Sequence, residues 1–347
     1  MNRPNFKYKV VVTDYDYPDL SIETSILREI GAEVIGNQCK TEEELIEVAH
    51  DAHGILVEYA KVSERVISEM KNCIIIARYG VGVDIVDVKA ATKNGIIVTN
   101  VPAYCISEVA DHALAMFLTM ARRIREYDKA VREGKWHWDA CGYKIHRIAG
   151  MTAGIVGYGR IGSAIASRLK PFGLKILVYD PYADKSKIES DGCKAVSFEE
   201  LLRNSDVIFI QAPLTEETRG MFNRKAFSMM KQGAFIINTA RGPIIENDAL
   251  YEALSSGKIA GAALDDLEEE PAKQRNWKPI NPIFKLSNLV VSPHAAYYSE
   301  ESLIEARTTA ALEVSRALTG TLPNNIVNRE VLNSPNLRFR RNIKEGS

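Results

Sequence analysis

Short apolar runs recur along the chain: KYKVVVTD, GILVE, CIIIAR and IIVTN, separated by SILREIG, EELIEVAH and VSERVISEM, in which apolar positions return at helical spacing. Runs rich in Val and Ile predict buried strands, and the stretches between them predict amphipathic helices. That alternation marks a parallel sheet covered by helices on both faces, so the expected class is α/β. This first unit closes near Val101 and Pro102. From Ser107 to about Arg132 apolar positions keep a helical period, which predicts one long helix leaving the unit. A second unit follows with TAGIVGYG, KILVYD, DVIFIQ, GAFIINT, IAGAAL and NLVVSP, six strands in series spaced by helices such as FEELLRN and NDALYEALSSG. After Pro293, SEESLIEARTTAALEVSRAL predicts an amphipathic helix running back to the first unit. The expected domains are therefore residues 1–104 with 299–332, and 105–298, with 333–347 as a solvated tail.

Composition narrows the picture. The 347 residues are 46% hydrophobic, with 44 Lys+Arg against 45 Asp+Glu and a formal charge of −1. That is globular composition with room for two domains of about 150 residues. With no basic block in the folded region, nucleic acid is not an expected partner. The apolar run Val10 to Val12 is far short of the roughly 7–15 residues of a secretory segment, and stretches such as Ala113 to Ala121 are interrupted before the ~20 needed to span a bilayer. Five scattered cysteines without CxxC spacing argue against a disulfide framework or zinc site. A protein of the cytoplasm without membrane contact is expected.

Candidate chemistry clusters in the second unit. Gly157, Gly159 and Gly162 form GxGxxG between a predicted strand and a predicted helix. The first glycine permits a tight turn, the second lets a pyrophosphate approach the backbone, and the third lets helix and strand pack closely. The helix N-terminus would receive the phosphates. Asp180 ends the next strand, 18 positions after Gly162, where a ribose-binding acid is expected. An acid there repels a 2′-phosphate, so NAD is expected rather than NADP. Arg241 follows another strand and carries a planar fork suited to a carboxylate or polarised carbonyl, although taken alone it fits an ordinary surface arginine as well. Asp265, Glu270 and His294 also fall at or after strand ends. An imidazole beside a carboxylate can exchange a proton with a substrate hydroxyl near neutral pH.

In the first unit, Gly80, Val81 and Gly82 follow a buried strand, with Arg78 nearby. This is not a second dinucleotide fingerprint, because Ile85 stands where a third glycine is required. Its amides suit a small anion, and the local pattern fits a compact turn equally well. His50 and His53 lack partners at metal-ligand spacing, so no metal is expected. Trp136, His137 and Trp138 read as packing or subunit contact.

The ordered motifs RYGVGVD, GYGRIG, VYDPY, APLTEETRG, NTARG, AALDDLEEEP and SPHAA together resemble the D-isomer-specific 2-hydroxyacid dehydrogenase family over roughly residues 8 to 330, most closely its C-terminal-binding-protein-like and phosphoglycerate dehydrogenase-like branch. The resemblance implies two flavodoxin- or Rossmann-like, doubly wound parallel-sheet domains with a cleft between them, and a homodimer formed through the NAD-binding domain. It implies a small 2-hydroxy or 2-oxo acid as substrate: 3-phosphoglycerate, glycerate, hydroxypyruvate or glyoxylate. His294 would be the general acid/base, Glu270 its partner, and Arg241 the group that binds and polarises the 2-oxo oxygen. The amides of Val81 and Gly82 would take the substrate carboxylate, with Arg78 close by. Arg160 and Ile161 would face the pyrophosphate, Asp180 the ribose, and Ala212, Thr239, Ala240 and Asp265 the nicotinamide end. Departures fall at Gln211, where many members have histidine, at Tyr297, expected to face the substrate pocket, and in the insertion carrying Lys273, Arg275, Trp277 and Lys278. The same resemblance admits a second reading, an NAD(H)-responsive corepressor-like interaction protein.

Overall fold

The computed structural model describes residues 6–268 and 277–341. The chain divides into two compact units, one made of the residues up to Tyr104 together with those from Ser299 onward, the other of Cys105–Tyr298.

The first unit is built on β1 (Tyr8–Val12), β2 (Ala32–Gly36), β3 (Gly54–Val57), β4 (Ile75–Arg78) and β5 (Ile97–Thr99), in the order β2-β1-β3-β4-β5. Every pairing is parallel. The strands β3, β4 and β5 are buried at every residue, which is why they read as unbroken apolar runs. One face is covered by α1 (Ser21–Arg28) and the returning α12 (Glu300–Leu318). On the other lie α2 (Glu42–Ala49), α3 (Glu64–Glu69) and α4 (Val88–Lys93), whose Leu45, Ala49, Val66, Ile67, Ala90 and Ala91 pack on Val11, Ile55, Val57, Ile76 and Val98. A reciprocal capping box, Thr41 with Glu44, starts α2. Between α1 and α12, the fully buried Glu23 takes a two-pronged bond from Arg307, at 2.9 and 2.7 Å.

The second unit has a seven-stranded sheet: β6 (Thr152–Val156), β7 (Lys175–Tyr179), β8 (Lys194–Ala195), β9 (Val207–Ile210), β10 (Ala234–Asn238), β11 (Ile259–Leu264) and β12 (Leu289–Val291). Their order is β12-β11-β10-β9-β6-β7-β8, again with parallel pairings. Side chains alternate across it. Val207 and Phe209 face α5 (Ile106–Arg122), α7 (Arg160–Leu169) and α8 (Lys185–Ser190), while Ile208 and Ile210 face α9 (Phe198–Asn204), α10 (Arg224–Met229) and α11 (Asn247–Ser255). The strand order reverses between β6 and β9, and ligands of doubly wound sheets bind outside the carboxyl ends of the strands at that point.

Four expectations are corrected. The first unit has five strands where four were expected, the additional one being the edge strand β2. The single helix expected over 107–132 is two: α5 ends and α6 (Ile124–Arg132) begins at Arg123, which has a left-handed backbone (φ 54°). The break turns a 5%-exposed guanidinium inward to stack on Tyr143, 3.8 Å from the ring centre. Seven strands stand where six were expected, because the two-residue edge strand β8 has no apolar run to announce it. The tail expected from 333 is docked as far as it is described: Phe339 is buried, and Arg338 Nη1 donates 2.7 Å to the carbonyl of Met70, at the end of α3. Helix C-termini leave carbonyls without intrahelical partners, and a guanidinium satisfies them. Residues 342–347 lie outside the described residues.

Candidate active site

The glycine turn stands between β6 and α7. Gly157 has φ +92°, and a side chain on it would collide with the backbone of Gln211 and Ala212 at 2.7 Å. A side chain on Gly162 would meet the Gly157 carbonyl at 2.1 Å, so α7 lies directly against the turn. Gly159 differs: nothing stands within 4 Å of the place its side chain would occupy. Gly159 is also the N-cap of α7 and makes no side-chain cap, which leaves the amides of Arg160, Ile161 and Gly162 at an uncapped helix start. An open glycine before uncapped amides fits a pyrophosphate.

Asp180, at the end of the neighbouring β7, is held by three backbone donors: Tyr158 N–H to Oδ2 (2.7 Å), and Tyr182 and Ala183 N–H to Oδ1 (2.9 and 3.1 Å). The turn and the acid are thus tied directly. At the end of β9, Gln211 Nε2 donates to Thr239 Oγ1 at 2.7 Å, and Ala212 is buried against Gly157. Gln211 therefore meets a residue expected at the nicotinamide end.

The loop after β10 is shaped by Asn238, a residue that the sequence reading passed over. Fully buried, it accepts from Ala240 N–H (3.0 Å) and donates to the Arg241 carbonyl (2.9 Å). Gly242 then lets this loop lie on the backbone beyond β11: a side chain there would stand 1.9 Å from the carbonyl carbon of Leu267. That contact sets Arg241 beside Asp266. Asp266 is 3% exposed, and its Oδ2 lies 3.8 Å from Arg241 Nη1 and 3.9 Å from His294 Nδ1. Guanidinium, carboxylate and imidazole converge within ion-pair range. The adjacent Asp265–Asp266 pair was visible in the sequence, but a strand end does not reveal which of two consecutive acids faces the base. Glu270 lies outside the described residues, as do Lys273 and Arg275.

His294 has a left-handed backbone (φ 51°), a conformation that costs a residue with a side chain about 1–3 kcal/mol and is retained where the surroundings over-determine it. Its amide donates to the carbonyls of Asp265 (2.8 Å) and Ser292 (3.1 Å). Asp265, also 3% exposed, accepts from the amides of Ala295 (2.9 Å) and Ala296 (2.8 Å). Tyr297 stands edge-on to the His294 ring with centroids 6.0 Å apart. Trp277 packs edge-on against Phe284 (5.0 Å), so this end of the insertion is fastened to the second unit.

Arg78, Val81 and Gly82 belong to the first unit, and the other candidates to the second. Arg78 is 8% exposed; Nη1 donates to the Tyr79 carbonyl at 2.9 Å and Nε has no partner. The Tyr79 hydroxyl donates to Glu23 at 3.1 Å, and burial together with Glu23 pushes it well above the ordinary phenol range, so it remains a donor. His50 and His53 turn to different partners, the Glu69 carbonyl and the Lys9 amide.

Residues 114–296 match the family described as D-isomer specific 2-hydroxyacid dehydrogenase, NAD binding domain. The D-3-phosphoglycerate dehydrogenase of Archaeoglobus fulgidus is 38% identical over 90% of this chain and 58% of its own length. The glyoxylate reductase of Korarchaeum cryptofilum is 42% identical over 74% of this chain and 77% of its own. Among solved structures, the D-lactate dehydrogenase of Aquifex aeolicus, complexed with NAD and lactic acid, matches with a TM-score of 0.83 at 31% identity, covering 92% of this chain and 99% of that one. The chain spans about three-fifths of the length of the phosphoglycerate dehydrogenases it matches.

Proposed function

Because the chain belongs to the D-isomer specific 2-hydroxyacid dehydrogenase family, we propose that it interconverts a small D-2-hydroxy acid and the corresponding 2-oxo acid, with NAD as its redox partner. The observation that carries this reading is the convergence of Arg241, Asp266 and His294 in the sheet that also presents the open turn at Gly159.

NAD, when bound, supplies or accepts the hydride at C2 of the acid. Gly157, Gly159, Gly162, Arg160 and Ile161 are the residues to hold its pyrophosphate, Asp180 its ribose, and Ala212, Thr239, Ala240 and Asp265 its nicotinamide end. Asp180 favours NAD because a carboxylate already fixed by three amides offers no cationic partner to a 2′-phosphate. His294, with Nδ1 toward Asp266, has Nε2 to give a proton to the 2-oxo oxygen and to take it back in the reverse direction. Arg241 holds that oxygen and stabilises the charge that develops on it. Glu270 is the proposed second carboxylate for His294, on the resemblance alone. For the carboxylate of the acid, the candidates are the amides of Val81 and Gly82, with the charge of Arg78 close by. Tyr297, beside the imidazole, is the proposed contributor to substrate choice.

Relatives named D-3-phosphoglycerate dehydrogenase and glyoxylate reductase support 3-phosphoglycerate or glyoxylate as the substrate; hydroxypyruvate or glycerate rests on the family resemblance alone. A homodimer through the second unit is supported by the exposure of Trp136 (87%) and Trp138 (79%). Five free thiols support a reducing cytoplasm, and no helix among the described residues is long and apolar enough to cross a membrane. The test is NADH absorbance with glyoxylate, hydroxypyruvate, phosphohydroxypyruvate and pyruvate, repeated with NADPH. Oxidation with one of these acids, faster with NADH, is expected. NADPH as the better partner would contradict the role given to Asp180.

A further inference from the structure

His112 has no part in the chemistry assigned above, yet it reaches the loop that carries His294. It projects from the middle of α5, and its Nε2 lies 2.8 Å from Ser292 Oγ and 3.7 Å from Asp265 Oδ1. Ser292 Oγ in turn lies 2.5 Å from the same Asp265 oxygen.

The direction of this chain follows from the donor inventory. Asp265 accepts from two backbone amides as well as from Ser292, so its carboxylate is the acceptor at the end of the line. The single Ser292 hydroxyl proton goes to Asp265, and the hydroxyl oxygen must then accept. His112 Nε2 therefore carries a hydrogen and donates it. The sequence of bonds is His112 Nε2–H to Ser292 Oγ–H to Asp265 Oδ1, and Asp265 closes on the amides of Ala295 and Ala296. Those are the two residues after His294, while Ser292 stands two before it. The chain thus grips both sides of a residue whose backbone is left-handed.

From this geometry we infer that His112 is a positioning residue for His294. It orients the Ser292 hydroxyl, which orients Asp265, which fixes the left-handed turn presenting the His294 imidazole. The inference rests on the proposed role of His294 for its kinetic consequence, but the positioning itself is a property of the loop and can be measured without turnover. Asp265 is in addition a candidate for the nicotinamide end, so disorder of this carboxylate is expected to act on the chemical step more than on overall cofactor affinity, most of which is assigned to the glycine turn and Asp180.

The experiment compares wild type with His112→Leu, His112→Gln and Ser292→Ala by amide hydrogen exchange over residues 292–298, by kcat and KM for the best 2-oxo acid, and by NADH titration. Glutamine places a donor nitrogen near the Nε2 position, so it separates the hydrogen bond from the volume of the ring. Expected for His112→Leu are about tenfold faster exchange at Ala295 and Ala296, an equal or larger fall in kcat, and KM and NADH affinity within about twofold. Ser292→Ala should behave alike, and His112→Gln should recover most of both effects. Unchanged exchange in His112→Leu would overturn the inference, as would a Gln variant as impaired as the Leu variant, which would make the role one of packing. If the wild-type protein turned over no 2-oxo acid, the proposed function would fail instead, and the exchange comparison would still decide the positioning.

Discussion

Gly242 decides where Arg241 stands, because any side chain at 242 would meet the Leu267 carbonyl carbon at 1.9 Å. Backbone cannot yield as a flexible side chain can, so Gly242→Ala must push the Arg241 loop away from Asp266. A misplacement of about 1 Å can cost on the order of a hundredfold in rate, and that loss in kcat/KM is the expected outcome, with a cooperative thermal transition retained. Activity close to wild type would show that the register of Arg241 and Asp266 is not needed. At this scale the sequence was informative about residue type and weak about partners. Gly157, Arg241 and His294 announced themselves by standing after apolar strands. Asn238, Asp266 and His112 did not, since their significance lies in what a turn or a neighbouring helix brings within 4 Å.

Among the elements, α1 and α12 are joined by a buried ion pair. Arg307 reaches the fully buried Glu23 with two nitrogens and lies 4.7 Å over the Tyr17 ring, while Tyr79 donates to the same carboxylate. Removing one charge of a buried pair leaves the other unpaired, at a cost of about 3–5 kcal/mol. Glu23→Gln is therefore expected to lower unfolding free energy by about that amount in denaturant titration, and the combined Glu23→Gln, Arg307→Met change by less. A single variant as stable as wild type would mean that Asp19, whose Oδ1 already lies 3.6 Å from Arg307 Nη2, suffices to hold the guanidinium. The helices themselves were legible from spacing, and so were the strands buried on both faces. The edge strand β2 was missed because AEVIG keeps one buried residue, Ala32, and exposes Glu33 and Gly36. The break at Arg123 was missed because no glycine or proline marks it; its guanidinium stacks on Tyr143, far away in sequence.

For the whole molecule, the two strand orders are those of doubly wound sheets, and the dinucleotide fingerprint falls at the reversal of the second one. This much was readable because parallel sheets demand apolar strands and crossover helices. Substrate choice was not, since specificity rests on a few pocket side chains that no periodic pattern announces. The exposed Trp136 and Trp138 give the assembly a test of its own: wild type is expected to sediment as a dimer, and Trp136→Ser with Trp138→Ser to shift it toward monomer. A monomeric wild-type protein would contradict the dimer. The central claim is that one group, His294, moves the proton while separate residues hold the cofactor. It is tested most directly by measuring turnover and NADH affinity together in wild type and His294→Ala. Turnover reduced by about 10³-fold or more, with NADH affinity within about twofold, is the predicted result; turnover that survives the substitution, or NADH binding lost along with it, would contradict the account.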